Sequence, residues 1–238
     1  SMLTPMGNPQ NLFLYARYNF EIITFLKVTL LPTCLAGGML AVLLLRQQDR
    51  ALKVDLAAVK VERGWDLGVL ALLFLLCVAA VFHWFDHWLL LAITVTAVLV
   101  LDRGLFRQID YSLLITFGGF FIFIGNLTQF DFLNIIRDSF LGSAAGTYFS
   151  GIAASQFISN VPAAMLLAAF TQQKEALLLG VNIGGLGTLI ASMASVISYK
   201  LFAEAYPSQV RHYLLLFLYY NAIGLFLLVP SVYFLLLY

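Results

Sequence analysis

Seven apolar stretches divide almost the whole of this 238-residue chain. They cover residues 22–45, 67–82, 88–101, 111–124, 146–170, 176–202 and 213–237. Most approach the roughly 20 residues that a helix needs to cross a bilayer. Hydrophobic residues make up 62% of the chain and charged residues 11%, where a soluble domain carries about a quarter charged. A soluble fold of this length can bury a core but cannot hide this much apolar surface. The reading is an all-α polytopic membrane protein, with membrane lipid as its surroundings. Net charge is +1, and no basic patch is interleaved with aromatics, so nucleic acid is excluded as a partner.

Basic residues set the expected orientation. Arg46, Arg50, Lys53, Lys60 and Arg63 crowd one loop, which the positive-inside rule makes cytoplasmic. Arg103 and Arg107 then fall on the same side. Lys200 and Arg211 join them only if residues 146–170 enter the membrane and turn back, so the charge rule favours a re-entrant hairpin there over a simple spanning helix. A kinked spanning helix with two buried polar residues is the alternative. Residues 53–63 and 130–140 read as surface or interfacial helices. Cys34 and Cys77 each lie inside an apolar run and read as two buried thiols.

Two places inside the apolar runs carry polar residues and helix breakers. "ISNVPA" places Ser159, Asn160 and Pro162 in the middle of the fifth stretch. Proline lacks an amide hydrogen and suits the first turn of the helix after a hairpin tip. The Ser hydroxyl and Asn carboxamide would satisfy the open backbone and contact whatever binds. "LTPMGNPQNLFLY" at 3–15 aligns without gaps on "GTLIASMASVISY" at 187–199. Thr4 pairs with Thr188, Gly7 with Ala191, Asn8 with Ser192 and Asn11 with Ser195. By the charge argument the two copies cross the bilayer in opposite senses, the pattern of an inverted-topology repeat. A helix broken inside a membrane exposes carbonyls and amides, tolerable only where they face an ion, a substrate or a protein-lined cavity. The glycine run "GVNIGGLG" has two readings by itself, a binding site or close helix packing. The second copy and the neighbouring Ser-Asn-Val-Pro favour a site.

The pairing of "ISNVPA" with "GVNIGG", preceded by "LTPMGNPQN", resembles the ion transporter superfamily. It looks most like the citrate-transporter-like group, which includes divalent anion/sodium symporters and arsenite permeases. The resemblance covers essentially the whole chain and implies that it starts partway through the first of two repeats. It implies an inverted-repeat secondary transporter with a re-entrant hairpin and broken helices, homodimeric and working like an elevator. The implied parts are 1–46, the end of the first repeat; 47–66, a cytoplasmic linker; 67–143, scaffold helices of the second repeat; and 144–238, its transport-domain part.

Carried over by position, the resemblance nominates Thr4, Gly7, Asn8 and Asn11 from the first repeat. From the second it nominates Ser159, Asn160, Val161, Asn182, Gly185, Thr188 and Ser192. Together they would bind a small anion, a carboxylate or an oxyanion, with a sodium site near Ser159, Asn160 and Thr188. Val161 stands where dicarboxylate symporters have a hydroxyl, and Ala191 where the first copy has glycine, so a dicarboxylate and a second sodium site do not follow directly. No organic cofactor is implied; sodium or a proton is the coupling ion. The expected location is a bacterial or archaeal inner membrane. An oxyanion efflux permease, a sodium/proton antiporter and a non-transporting remnant are the alternatives. His83, His87 and Asp86 lie in "HWFDHW", where an interfacial belt is commoner than a metal site. His83, His87 and His212 all fall near interfaces, and no aspartate lies in a segment core, so an intramembrane protease is not expected.

Overall fold

The structure, a computed structural model, describes residues 1–46, 64–82, 84–127 and 140–237. Residues 47–63, which hold most of the expected linker with its basic residues beyond Arg46 and the 53–63 segment, lie outside the described residues, as do His83 and most of 130–140. Ten α-helices are described: α1 (Pro9–Arg17), α2 (Ile22–Leu45), α3 (Gly64–Val81), α4 (His87–Leu101), α5 (Tyr111–Leu127), α6 (Ala144–Ile158), α7 (Asn160–Leu167), α8 (Lys174–Ile183), α9 (Met193–Ala205) and α10 (Val210–Leu236). No strand occurs among the described residues. The fold is all-α, as the apolar runs require.

Among the described residues, two helices are long and apolar enough to cross a membrane: Ile22–Leu45, with mean hydropathy 2.2, and Pro207–Leu236, with 1.9. Only 17% of either apolar window is buried, so these faces look outward rather than into a core. Cys34 and Cys77 correct the sequence reading. Both are free and exposed, because an apolar run bound for lipid carries its thiols on the outer surface.

The chain forms two units, residues Leu43–Ile115 and residues Ser1–Val42 with Thr116–Tyr238. In the first, α3 and α4 lie side by side, with Trp65, Val69, Val100 and Leu101 lining an apolar groove of about 480 Å3. Asp86 caps α4 by accepting from the amides of Trp88 (3.0 Å) and Leu89 (2.9 Å). Asp102 ends the same helix and accepts from Gly104 N at 2.7 Å.

The second unit is built around a helical hairpin. The chain reverses at Ser159, which ends α6 and begins α7 at φ +74°, ψ 152°. Its two ends meet twelve residues to either side of that tip: the Thr147 and Thr171 hydroxyls lie 3.2 Å apart. Both sit near the Leu141 carbonyl, at 3.2 and 3.1 Å. A kinked continuous helix cannot bring these residues together. Both threonines are buried. Thr171→Val should therefore cost about 1–3 kcal/mol by stranding buried polar groups, read as a lower thermal midpoint. Thr171→Ser, which keeps the hydroxyl, should hold it near wild type.

Small residues let α6 and α8 touch along their length. A Cβ on Gly151 would lie 3.2 Å from the Gly180 carbonyl carbon. One on Gly184 would lie 2.8 Å from Ser155 Oγ and 2.9 Å from Ile152 Cα. Such close backbone approach is the packing role that small residues take in membrane helices. Tyr148, Leu179, Ile183, Leu228 and Val232 form the core beside this contact. The Tyr148 hydroxyl donates to Val229 O at 3.1 Å and ties α6 to α10.

The amino-terminal segment docks onto the same unit. Thr29 Oγ1 sits 2.9 Å from Leu3 O, holding α2 against the residues before α1. Tyr18 donates its hydroxyl to Thr171 O at 2.9 Å, at the base of the hairpin. Burial pushes the Tyr18 phenol up to about 12, with the Arg17 charge pulling the other way, so it stays a donor at neutral pH. Lys174, at the start of α8, sits 4.8 Å from the Phe20 ring centroid, a cation–π contact.

Candidate functional site

The two aligned segments fold alike. Thr4 and Thr188 are both extended and both precede a single 3-10 turn, Pro5–Gly7 in one copy and Leu189–Ala191 in the other. Each turn closes on its threonine carbonyl at 3.1 Å, from Gly7 N and from Ala191 N. Asn8 and Ser192 then cap the following helices. Asn8 accepts from Asn11 N at 2.9 Å and Ser192 from Ala194 N at 3.2 Å. A side-chain oxygen at this position satisfies an amide that the helix start leaves open. The sequence alignment is therefore also a structural correspondence over at least Thr4–Asn8 and Thr188–Ser192.

Carboxamides join the first segment to α8. Asn182 Nδ2 donates to Asn11 Oδ1 at 2.6 Å and to Leu178 O at 2.9 Å. Asn8 Nδ2 donates to Asn182 Oδ1 over a longer 3.4 Å. Asn11 is fully buried, and its Nδ2 also reaches Met2 O (2.9 Å) and Thr4 O (3.2 Å). Gly7 presses against the Ser1 backbone with no room for a Cβ.

The hairpin tip meets the unwound stretch after α8. A Cβ on Gly185 would lie 3.0 Å from Asn160 Nδ2 and 3.8 Å from Ser192 Cβ. The amino-terminal ends of α1, α7 and α9 thus gather around the break that follows α8. Each contributes open amides and a partial positive charge, a setting that favours an anion. At the tip, the Ser159 hydroxyl is buried and finds no hydrogen-bond partner among the described residues. It does not cap the backbone, as the sequence led us to expect. Positive φ in a non-glycine residue costs free energy, and such strain clusters at ligand sites.

The structure brings together Asn8, Asn11 and Asn182 by direct bonds, and Asn160, Gly185 and Ser192 by proximity. Thr4 joins through Asn11. Val161 goes elsewhere, into an apolar cluster with Ile124 and Met165, against which Phe13, Phe117, Phe120 and Leu166 pack. A hydroxyl there would lack polar company. The glycine run divides by position: Gly180 and Gly184 serve helix packing, while Gly185 and Gly187 belong to the break.

Two residues of this neighbourhood carried no weight in the sequence reading. Gln156, one turn before the tip, holds Thr188 through its side chain and its main chain. Asn221 in α10 accepts from Gly187 N at 3.3 Å. Both are polar residues inside apolar runs, the signal that marked Ser159 and Asn160.

Residues 1–175 match the family model described as Citrate transporter. The uncharacterized transporter MJ0456 of Methanocaldococcus jannaschii is 34% identical over 203 residues, 84% of this chain and 54% of that protein. The inner membrane protein YbiR of Escherichia coli is 30% identical over 210 residues, 84% of this chain and 55% of that protein. The chain spans about half the length of these curated relatives. No solved structure matches it.

Proposed function

Because the chain belongs to the citrate transporter family and is an integral membrane protein, we propose that it is part of a secondary active anion transporter. The observation that carries this reading is the gathering of three helix amino termini around one break, beside the unpartnered Ser159 hydroxyl. Open amides and helix dipoles would hold a carboxylate or oxyanion. The Asn160 carboxamide and the Ser159 hydroxyl would orient it.

The α6 limb supports a re-entrant hairpin. Its 15 residues reach about 22 Å, short of the roughly 30 Å hydrocarbon core. A tip that stops midway places Ser159 and Asn160 where a transported anion must pass. The matching local folds of Thr4–Asn8 and Thr188–Ser192 support an inverted repeat, whose two broken helices would line the site from both sides.

Hydroxyls, carboxamides and backbone carbonyls make up the nominated set, and none titrates near neutral pH. Such hard oxygen donors favour sodium over a proton as the coupling ion, near Ser159, Asn160 and Thr188. A homodimer with an elevator-like transport domain, in an inner membrane, completes the reading.

The test uses the full-length protein in proteoliposomes. Uptake of labelled carboxylates and oxyanions is followed under a sodium gradient and then a proton gradient, for wild type and Asn160→Ala. The expected result is sodium-driven uptake that the variant loses by about tenfold or more, the equivalent of about 1.4 kcal/mol of lost anion contact. Uptake untouched by the substitution would remove Asn160 from the site. Wild-type vesicles that move no anion would favour a non-transporting membrane protein.

A further inference from the structure

Gln156 makes more cross-links to the break after α8 than any nominated residue. Its Nε2 lies 2.8 Å from Gly184 O and 2.9 Å from Leu186 O, two carbonyls of the unwound stretch. Its Oε1 accepts from Thr188 N at 3.0 Å, and its own carbonyl accepts from Thr188 Oγ1 at 2.9 Å. Gly187 passes beneath it at φ +110°, with no room for a Cβ against the carboxamide. A side-chain amide has two N–H donors and one acceptor oxygen. All three functions reach backbone that a broken helix leaves open, with a longer Nε2 contact of 3.3 Å back to Ile152 O in α6.

We infer that Gln156 is a positioning residue for the anion site: its carboxamide clamps the hairpin limb that carries Ser159 and Asn160 to the unwound segment 184–188. This deepens the transport reading and rests on it for its functional part. Two physical consequences follow. The tip and the break move as one body, so the distance between Asn160 and Gly185 is kept through any conformational change. The Gly184 and Leu186 carbonyls face an amide nitrogen, which takes the place a cation would otherwise take. The break is then left to offer a cation other oxygens, the Thr188 hydroxyl among them.

Glutamate at this position separates a clamp from a space-filler. It has almost the same shape, but its carboxylate has no donor for the two carbonyls. Protonated, it donates to one of them and can still accept from Thr188 N. Gln156→Glu should therefore work best at acidic pH and fail as the carboxyl ionises, a pH dependence that wild type lacks. Gln156→Leu should fail at every pH.

The experiment measures two things on the full-length protein. Hydrogen exchange of peptides covering 184–192 is taken as a ratio of variant to wild type at each pH. Anion uptake is taken as KM and maximal rate on the same pH scale. We expect about tenfold faster exchange in Gln156→Leu, and in Gln156→Glu only at high pH, the loss of about 1.4 kcal/mol of protection. We expect KM to rise in step. Unchanged exchange in both variants overturns the clamp. Raised exchange with unchanged KM overturns the positioning role. Wild type without uptake of any anion defeats the transport reading instead, and the exchange ratios alone then decide the clamp.

Discussion

Replacing Asn182 with leucine should sharply reduce gradient-driven uptake by the full-length protein and lower its thermal midpoint. Leucine keeps asparagine's branching at Cγ, though with bulkier methyl groups, so the change deletes the hydrogen bonds while still filling the space. Asn182 donates to Asn11 Oδ1 at 2.6 Å and to Leu178 O at 2.9 Å, and accepts from Asn8 at 3.4 Å. Without it, Asn11 Oδ1 is stranded in a fully buried position. Leaving such a group unpaired costs about 1–3 kcal/mol. The loss also loosens the start of α1, whose cap Asn8 has only the long bond to Asn182 across the two segments, and so lets its amides shift away from the break. A drop in uptake of about a hundredfold, some 2.7 kcal/mol, is expected alongside the stability loss. Asn8→Ala should do less. It removes a helix cap worth about 1 kcal/mol and the weaker of the two cross-segment bonds. Uptake by Asn182→Leu with wild-type KM and at more than half the wild-type rate would make the carboxamide network a structural brace only.

The sequence exposes some of this site and hides the rest for physical reasons. Apolar length marked the helices, because lipid demands it: the expected segment 22–45 coincides with α2, and 88–101 differs from α4 by one residue. Ser159 and Asn160 stood out because polar residues are costly inside an apolar run. Gln156 obeys the same rule, yet it lies six residues from Pro162, and only the folded hairpin shows what its carboxamide meets. The glycine run could not be divided from sequence, since packing and backbone opening both call for glycine. What separates Gly180 from Gly185 is the neighbour each faces, Tyr148 in one case and Asn160 in the other. The thiols were misjudged for a related reason. Hydropathy says that a residue avoids water, and a membrane offers two ways to do so, inside the protein or against lipid. Val161 sits next to Asn160 in the chain but faces an apolar cluster; adjacency to a motif does not fix which way a side chain points.

Gly180→Ala should be among the most damaging single-methyl changes in the chain, and Gly37→Ala and Gly38→Ala among the mildest. A Cβ at position 180 would stand 2.5 Å from the Tyr148 carbonyl oxygen and 3.2 Å from Tyr148 Cα. These are backbone atoms of α6, and no rotamer change can clear them. Helix α6 cannot easily retreat either. Tyr148 is fully buried and its hydroxyl holds Val229 O at 3.1 Å, while Gly151 lies against Gly180 from the same helix. Overpacking of this kind costs about 1–3 kcal/mol or more. Among the described residues nothing lies within 4 Å of a Cβ on Gly37 or Gly38, both inside α2, where alanine gains about 0.5–1 kcal/mol over glycine. Thermal midpoints in detergent should thus move in opposite directions. Uptake should fall only for Gly180→Ala, because the helix displaced is the one that carries Gln156 and ends at Ser159. Equal midpoints for Gly180→Ala and wild type would mean that α6 and α8 can part by about an ångström at no cost, and the close glycine seam would then not hold the hairpin in place.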